Sequence, residues 1–91
     1  MDQNQTMGVN IEIPKYNEDR GITYVWTDGF ELNVTADSNV VLIKANKEGL
    51  ISMANHLLNL AQDDIPKNHH MHFDEINSLE EGSMELIIQK V

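Results

Sequence analysis

Ile22-Thr23-Tyr24-Val25-Trp26-Thr27-Asp28-Gly29-Phe30-Glu31-Leu32-Asn33-Val34-Thr35-Ala36 spans residues 22–36, and its reading decides the fold. Apolar and polar residues alternate on both sides of Asp28-Gly29, the pattern of two half-buried strands joined by a turn. A two-residue Asp28-Gly29 turn pairs Val25 with Leu32 and leaves Tyr24 and Trp26 on the face of Glu31 and Asn33. A three-residue loop, Thr27-Asp28-Gly29, pairs Trp26 with Phe30, Tyr24 with Leu32 and Ile22 with Val34. All the large apolar groups then share one face, and Gly29 takes the left-handed position such a loop needs. The second register is the expected one.

Working outward, Asp37-Ser38-Asn39 predicts a further turn, and Val40 to Ala45 a strand that pairs Ala36 with Val41 and Val34 with Ile43. Val40 and Leu42 then lie on the opposite face, near Val25. Asn46 suits an N-cap, with Glu48 in the first turn of a helix from Lys47 to about Gln62. On a helical wheel Leu50, Ile51, Ala54, Leu57, Leu58 and Ala61 form one apolar stripe, flanked by Met53 and Leu60. Ser52, Asn55, His56, Asn59 and Asp63 lie opposite, so the stripe is expected against the sheet and the polar side in water. Upstream, Val9, Ile11 and Ile13 make a short strand stopped by Pro14. Downstream, Pro66 and Asn68 close a connection, and His70 to Asp74 is a strand with Met71 and Phe73 inward. Glu80-Glu81-Gly82 turns the chain into a last strand, Ser83 to Val91. There Met84, Leu86 and Ile88 share one face, and Ile87 points the other way. The expected fold is α+β: an antiparallel sheet of five to six strands with one long amphipathic helix packed on one face. Residues 1–91 make a single domain, with 1–8 loose.

Composition narrows the function classes. Fifteen acidic residues against six basic ones give a net charge of −9, which repels phosphate backbones and anionic lipid. That charge either suits a basic protein partner or simply maintains solubility, the reading preferred for charge taken alone. No nucleic acid and no membrane is expected among the partners. Without cysteine there is no disulfide framework and no thiolate metal site. The polar N-terminus lacks a signal-peptide pattern, and no apolar run reaches membrane-spanning length, so a cytoplasmic location is expected.

Residues with chemical potential are few. His70, His72 and Asp74 project from the same face of their strand, with His69 adjacent. Two imidazoles and a carboxylate suit zinc, so a small metal-binding domain or metal-dependent enzyme is the alternative reading of this chain. The spacing resembles that of metallo-β-lactamase-type hydrolases, but Glu75 stands where a further histidine is required and the chain is too short for that fold. A polar outer face bearing ordinary surface histidines is the preferred reading, and no metal is expected. His56 falls on the solvent side of the wheel. There is no nucleophile elbow, and the glycines are too dispersed to cradle phosphate. The outer sheet face combines Val25, Val40, Leu42 and Ile87 with Thr23, Asn33, Thr35, His70 and His72. Such a face suits either a partner or self-association surface or ordinary exposed valines.

Two stretches carry a family resemblance. Asn46-Lys47-Glu48-Gly49-Leu50 opens the helix that continues through Leu57-Leu58-Asn59-Leu60-Ala61. It is followed by His69-His70-Met71-His72-Phe73-Asp74 and Gly82-Ser83-Met84-Glu85-Leu86-Ile87-Ile88. This order resembles the immunity protein thirty-two family of bacterial polymorphic toxin systems over residues 22 to 91. The resemblance implies a small cytosolic protein that binds the active domain of a cognate toxin and blocks it without catalysis or cofactor. The pattern carries over to Asn46, Gly49, His70, His72 and Gly82-Ser83. The expected contact surface is Val40, Leu42, His70, His72 and Asp74, on a monomer or weak homodimer. A homo-oligomer joined through the outer sheet face is a third reading.

Overall fold

A computed structural model describes residues 5–91 of the chain. Its elements in chain order are β1 (Leu32–Asp37), β2 (Val40–Ala45), α1 (Lys47–Leu60), β3 (His70–Phe73) and β4 (Leu86–Gln89). The class is α+β as expected, but the expected five to six strands resolve into two antiparallel two-stranded sheets, β1–β2 and β3–β4. The sheets are not independent. On the edge of β1 away from β2, the Leu32 and Val34 carbonyls accept from the Glu80 and Met84 N–H groups. Residues 80–84 therefore bridge β1 to the start of β4.

Local turn chemistry sets the β1–β2 register. Ser38 and Asn39 both adopt positive φ, 48° and 71°, the two-residue hairpin turn whose twist matches that of the flanking strands. It fixes Ala36 opposite Val41 and Val34 opposite Ile43, the expected pairing. In β3, Met71 and Phe73 point inward and are fully buried, facing Ile88 and Leu86 of β4. Gly82 takes a positive φ and Ser83 N–H donates to Glu80 O, so the chain turns there as expected.

The segment before β1 departs from expectation. Residues 22–27 do not pair with β1, and residues 9–13 form no strand. The Thr27–Phe30 turn does form, with Gly29 at positive φ and Phe30 N–H donating to Thr27 O, and Trp26 stacks on Phe30 at 4.2 Å. Part of the backbone is held by side chains of α1 and of Gln62 just beyond it instead of by a ladder. Thr27 N–H donates to Ser52 Oγ, while the Thr23, Glu12 and Pro14 carbonyls accept from Asn59, Asn55 and Gln62. Tyr16 N–H closes the set by donating to Gln62 Oε1. Five backbone groups of residues 12–27 thus pair with side chains and not with a neighbouring strand.

This arrangement turns α1 over. Gly49, Ser52, Asn55, His56, Asn59 and Leu60 are its buried residues. The apolar stripe expected against the sheet is outside instead, with Leu50, Ile51, Leu57 and Leu58 between 41% and 60% exposed. The core proper is Leu32, Val34, Leu60, Ile65, Met71, Phe73 and Leu79, with Tyr16, Ile22, Trp26, Phe30, Met53 and Leu86 packed against it.

One residue ties helix and sheet together. Asn46 is the N-cap, its Oδ1 accepting from Gly49 N–H and also from Glu31 N–H, while its Nδ2 donates to Gly29 O. The first turn of α1 thereby lies directly on the backbone of residues 29–31.

Candidate functional site

β2 is the most exposed regular element. Val40, Val41, Leu42 and Ile43 are between 44% and 64% exposed. Exposure of Val40 and Leu42 was expected; that of Val41 and Ile43 was not. Both belong to the side expected to face the core, but burial on that side stops at β1, where Val34 is buried while its cross-strand partner Ile43 is open. One edge of β2 pairs with β1, and the other has no partner strand among the described residues. An unpaired aliphatic edge strand is a template for another chain.

His70 and His72 sit on β3, separated from β2 by β1 and residues 80–84, so the expected contact residues form two patches and not one. Their rings meet edge to face, with centroids 4.6 Å apart. His72 Nδ1 lies 3.4 Å from Glu85 Oε2, a half-exposed pair that adds little to stability. The backbone N–H of His72 donates to the Tyr24 hydroxyl.

Asp74 does not join the histidines. Its Oδ1 accepts from the N–H groups of Ile76 and Asn77, and its own N–H donates to Asn77 Oδ1, which closes the loop after β3. Among the described residues no three His, Asp or Glu side chains converge as a metal site would require. The strand ends at Phe73, so the alternation that would align Asp74 with the histidines stops one residue short.

His56, expected in solvent, is instead wholly buried among aromatic rings. Its centroid lies 4.3 Å from that of Trp26, 5.3 Å from Phe73 and 5.7 Å from Tyr24. Neither ring nitrogen has a hydrogen-bond partner. Burial holds its pKa below the ordinary 6.5, with the Val25 backbone opposing weakly from outside good hydrogen-bond geometry. A buried ring that resists protonation couples stability to pH. Above 6.5 both folded and unfolded states are neutral and full stability is present. As pH falls below 6.5 the unfolded chain takes up a proton that the folded chain refuses, and stability drops by up to about 1.4 kcal/mol per pH unit. The decline stops once the folded-state pKa is passed. Urea melts between pH 7.5 and 5.5 should show this slope, and His56→Leu should flatten it; an undiminished slope in the variant would assign the effect elsewhere.

Of the polar residues that organise this face, Ser52, Asn55 and Asn59 were read as part of a solvent side, and Gln62 only as the end of the helix. Their signal was present: they are amides and hydroxyls with no charge, whereas a solvated helix face in so acidic a chain would carry Glu and Lys. Tyr24 and Trp26, with Asn77 and Ser78, also line an open pocket of about 230 Å³ beside His56.

No helix among the described residues is long and apolar enough to cross a membrane. No curated protein and no solved structure matches the chain. Residues 40–91, more than half of it, match the family model described as Immunity protein 32. The match begins at the first residue of β2 and takes in α1, β3 and β4.

Proposed function

We propose, on the premise that this chain belongs to the Immunity protein 32 family, that it neutralises a toxin by binding the toxin's active domain, without catalysis. The observation that carries the reading is β2: four consecutive aliphatic residues exposed on both faces of a strand with one free edge. Such a strand accepts an extended segment of another protein by backbone pairing, with alternate side chains supplying selectivity. Val40 and Leu42 form the apolar centre of the contact. His70, His72 and Asp74 contribute at a second patch, where Glu85 adds negative charge. The net charge of −9 speeds capture of a basic toxin domain.

The test is co-purification with a cognate toxin domain, sought first in the neighbouring gene. Leu42→Asp should weaken binding by at least ~30-fold, the effect of losing a central anchor, with an unchanged circular dichroism spectrum because Leu42 is half-exposed. Leu58→Asp, on the outward face of α1, should bind normally. Retained binding by Leu42→Asp together with loss in Leu58→Asp would move the contact from the sheet to the helix.

A further inference from the structure

The outward face of α1 has an order that its exposure alone does not require. Leu50, Ala54, Leu57 and Ala61 follow one another at spacings of four, three and four, the seam of a heptad, with Ile51 and Leu58 seven residues apart beside it. From Gly49 to Gln62 there is no Asp, Glu, Lys or Arg, although the chain as a whole carries −9.

We propose that this face is the contact surface for a second copy of the chain, the two helices packing antiparallel across a two-fold axis near Ala54 and Leu57. Charge selects the occupant. A basic partner, which the acidic remainder attracts, finds no counter-charge on this face. A second copy presents the same seam, free of acidic groups. Lys90 at its edge is held by the Gln62 and Ile65 carbonyls, so two acidic molecules meet where their negative charge is absent. Shape agrees. In the antiparallel two-fold arrangement Leu50 of one copy faces Ala61 of the other, and Ala54 faces Leu57, so large meets small along the whole seam. Beside Ala61 lies an apolar groove of about 210 Å³, lined by Leu57, Leu60, Ala61, Ile88 and Lys90. It receives Leu50 of the second copy. The 14-residue helix is roughly 21 Å long, a small contact, so the dimer is expected to be reversible. The face is separate from β2, and dimerisation does not depend on the toxin-binding role proposed above.

Sedimentation equilibrium of the full chain over roughly 1–200 µM tests this. The expected result is a reversible dimer whose dissociation constant rises at least ~30-fold in Leu57→Asp. The variant should keep the spectrum of the wild type and, at concentrations where both are monomeric, its melting point, since Leu57 is half-exposed. Leu42→Asp should leave the dimer intact, which separates this surface from the toxin contact. Orientation can be read directly because the chain has no cysteine. Oxidising a mixture of Leu50→Cys and Ala61→Cys should yield chiefly the mixed disulfide. A monomer at every concentration, a dimer indifferent to Leu57→Asp, or cross-linking of Leu50→Cys only to itself would each overturn the proposal.

Discussion

Replacing Gly49 with alanine is expected to destabilise the protein by about 3 kcal/mol, the order seen when atoms are forced into a packed site. In an exposed helix the same change stabilises by up to ~1 kcal/mol, because alanine is the better helix former. The sign reverses here because a Cβ on Gly49 would collide with the backbone carbonyl of Glu31 and also press on Ala45 and on Asn46 Oδ1. A side chain could rotate away from such a collision. A carbonyl held between Asn46 and the β1 strand cannot, since Asn46 N–H donates to Glu31 O and Asn46 Oδ1 accepts from Glu31 N–H. Relief requires lifting the first turn of α1 off residues 29–31, and with it the three side-chain hydrogen bonds of Asn46. Urea denaturation at neutral pH measures the effect. A neutral or stabilised Gly49→Ala would mean that the helix start does not sit on the Glu31 backbone.

What could be read before the structure was known was local. The Ser38-Asn39 turn, the register it imposes, the Asn46 cap and the inward alternation of Met71 and Phe73 all depend on a few neighbouring residues and on backbone preferences that act at short range. The helix was placed to within two residues at its C-terminal end. Long-range partners were not legible. Residues 22–27 carry a strand pattern, and alternation cannot say whether such a segment pairs with β1 or lies across a helix whose side chains supply hydrogen bonds. Asn55, Asn59 and Gln62 reach backbone carbonyls 36 to 48 residues away in sequence. The exposure of Val40 and Leu42 followed from register alone, but that of Val41 and Ile43 depended on which long-range elements cover the sheet. His56 was misplaced for the same reason as the whole helix face. Hydrophobic periodicity finds the apolar stripe of a helix, and assumes that this chain is what covers it.

Asn59→Ala and Leu58→Ser, adjacent positions on α1, are expected to differ in the reverse of their hydrophobicity. Asn59 is fully buried. Its Nδ2 donates to the Thr23 carbonyl at 2.7 Å, and its Oδ1 accepts from Gln62 Nε2 at 2.8 Å. Truncation leaves the part-buried Thr23 carbonyl without its donor, a penalty of about 1 kcal/mol for that group alone. Gln62 keeps its bonds to Pro14 and to the Asn59 carbonyl, so the second loss is smaller. With the cavity left behind, the total for Asn59→Ala is about 3 kcal/mol. Leu58, half-exposed on the far side of the same helix, meets water before and after substitution. Leu58→Ser should therefore stay within roughly 0.5 kcal/mol of wild type at concentrations where the protein is monomeric. Thermal or urea melts of the two variants at low micromolar concentration give the comparison. If α1 instead buried its leucines against the sheet, the ranking would invert: Leu58→Ser would unfold the protein and Asn59→Ala would be silent. The ordering of two neighbouring variants thus decides which face of the helix the chain keeps for itself and which it leaves for a partner.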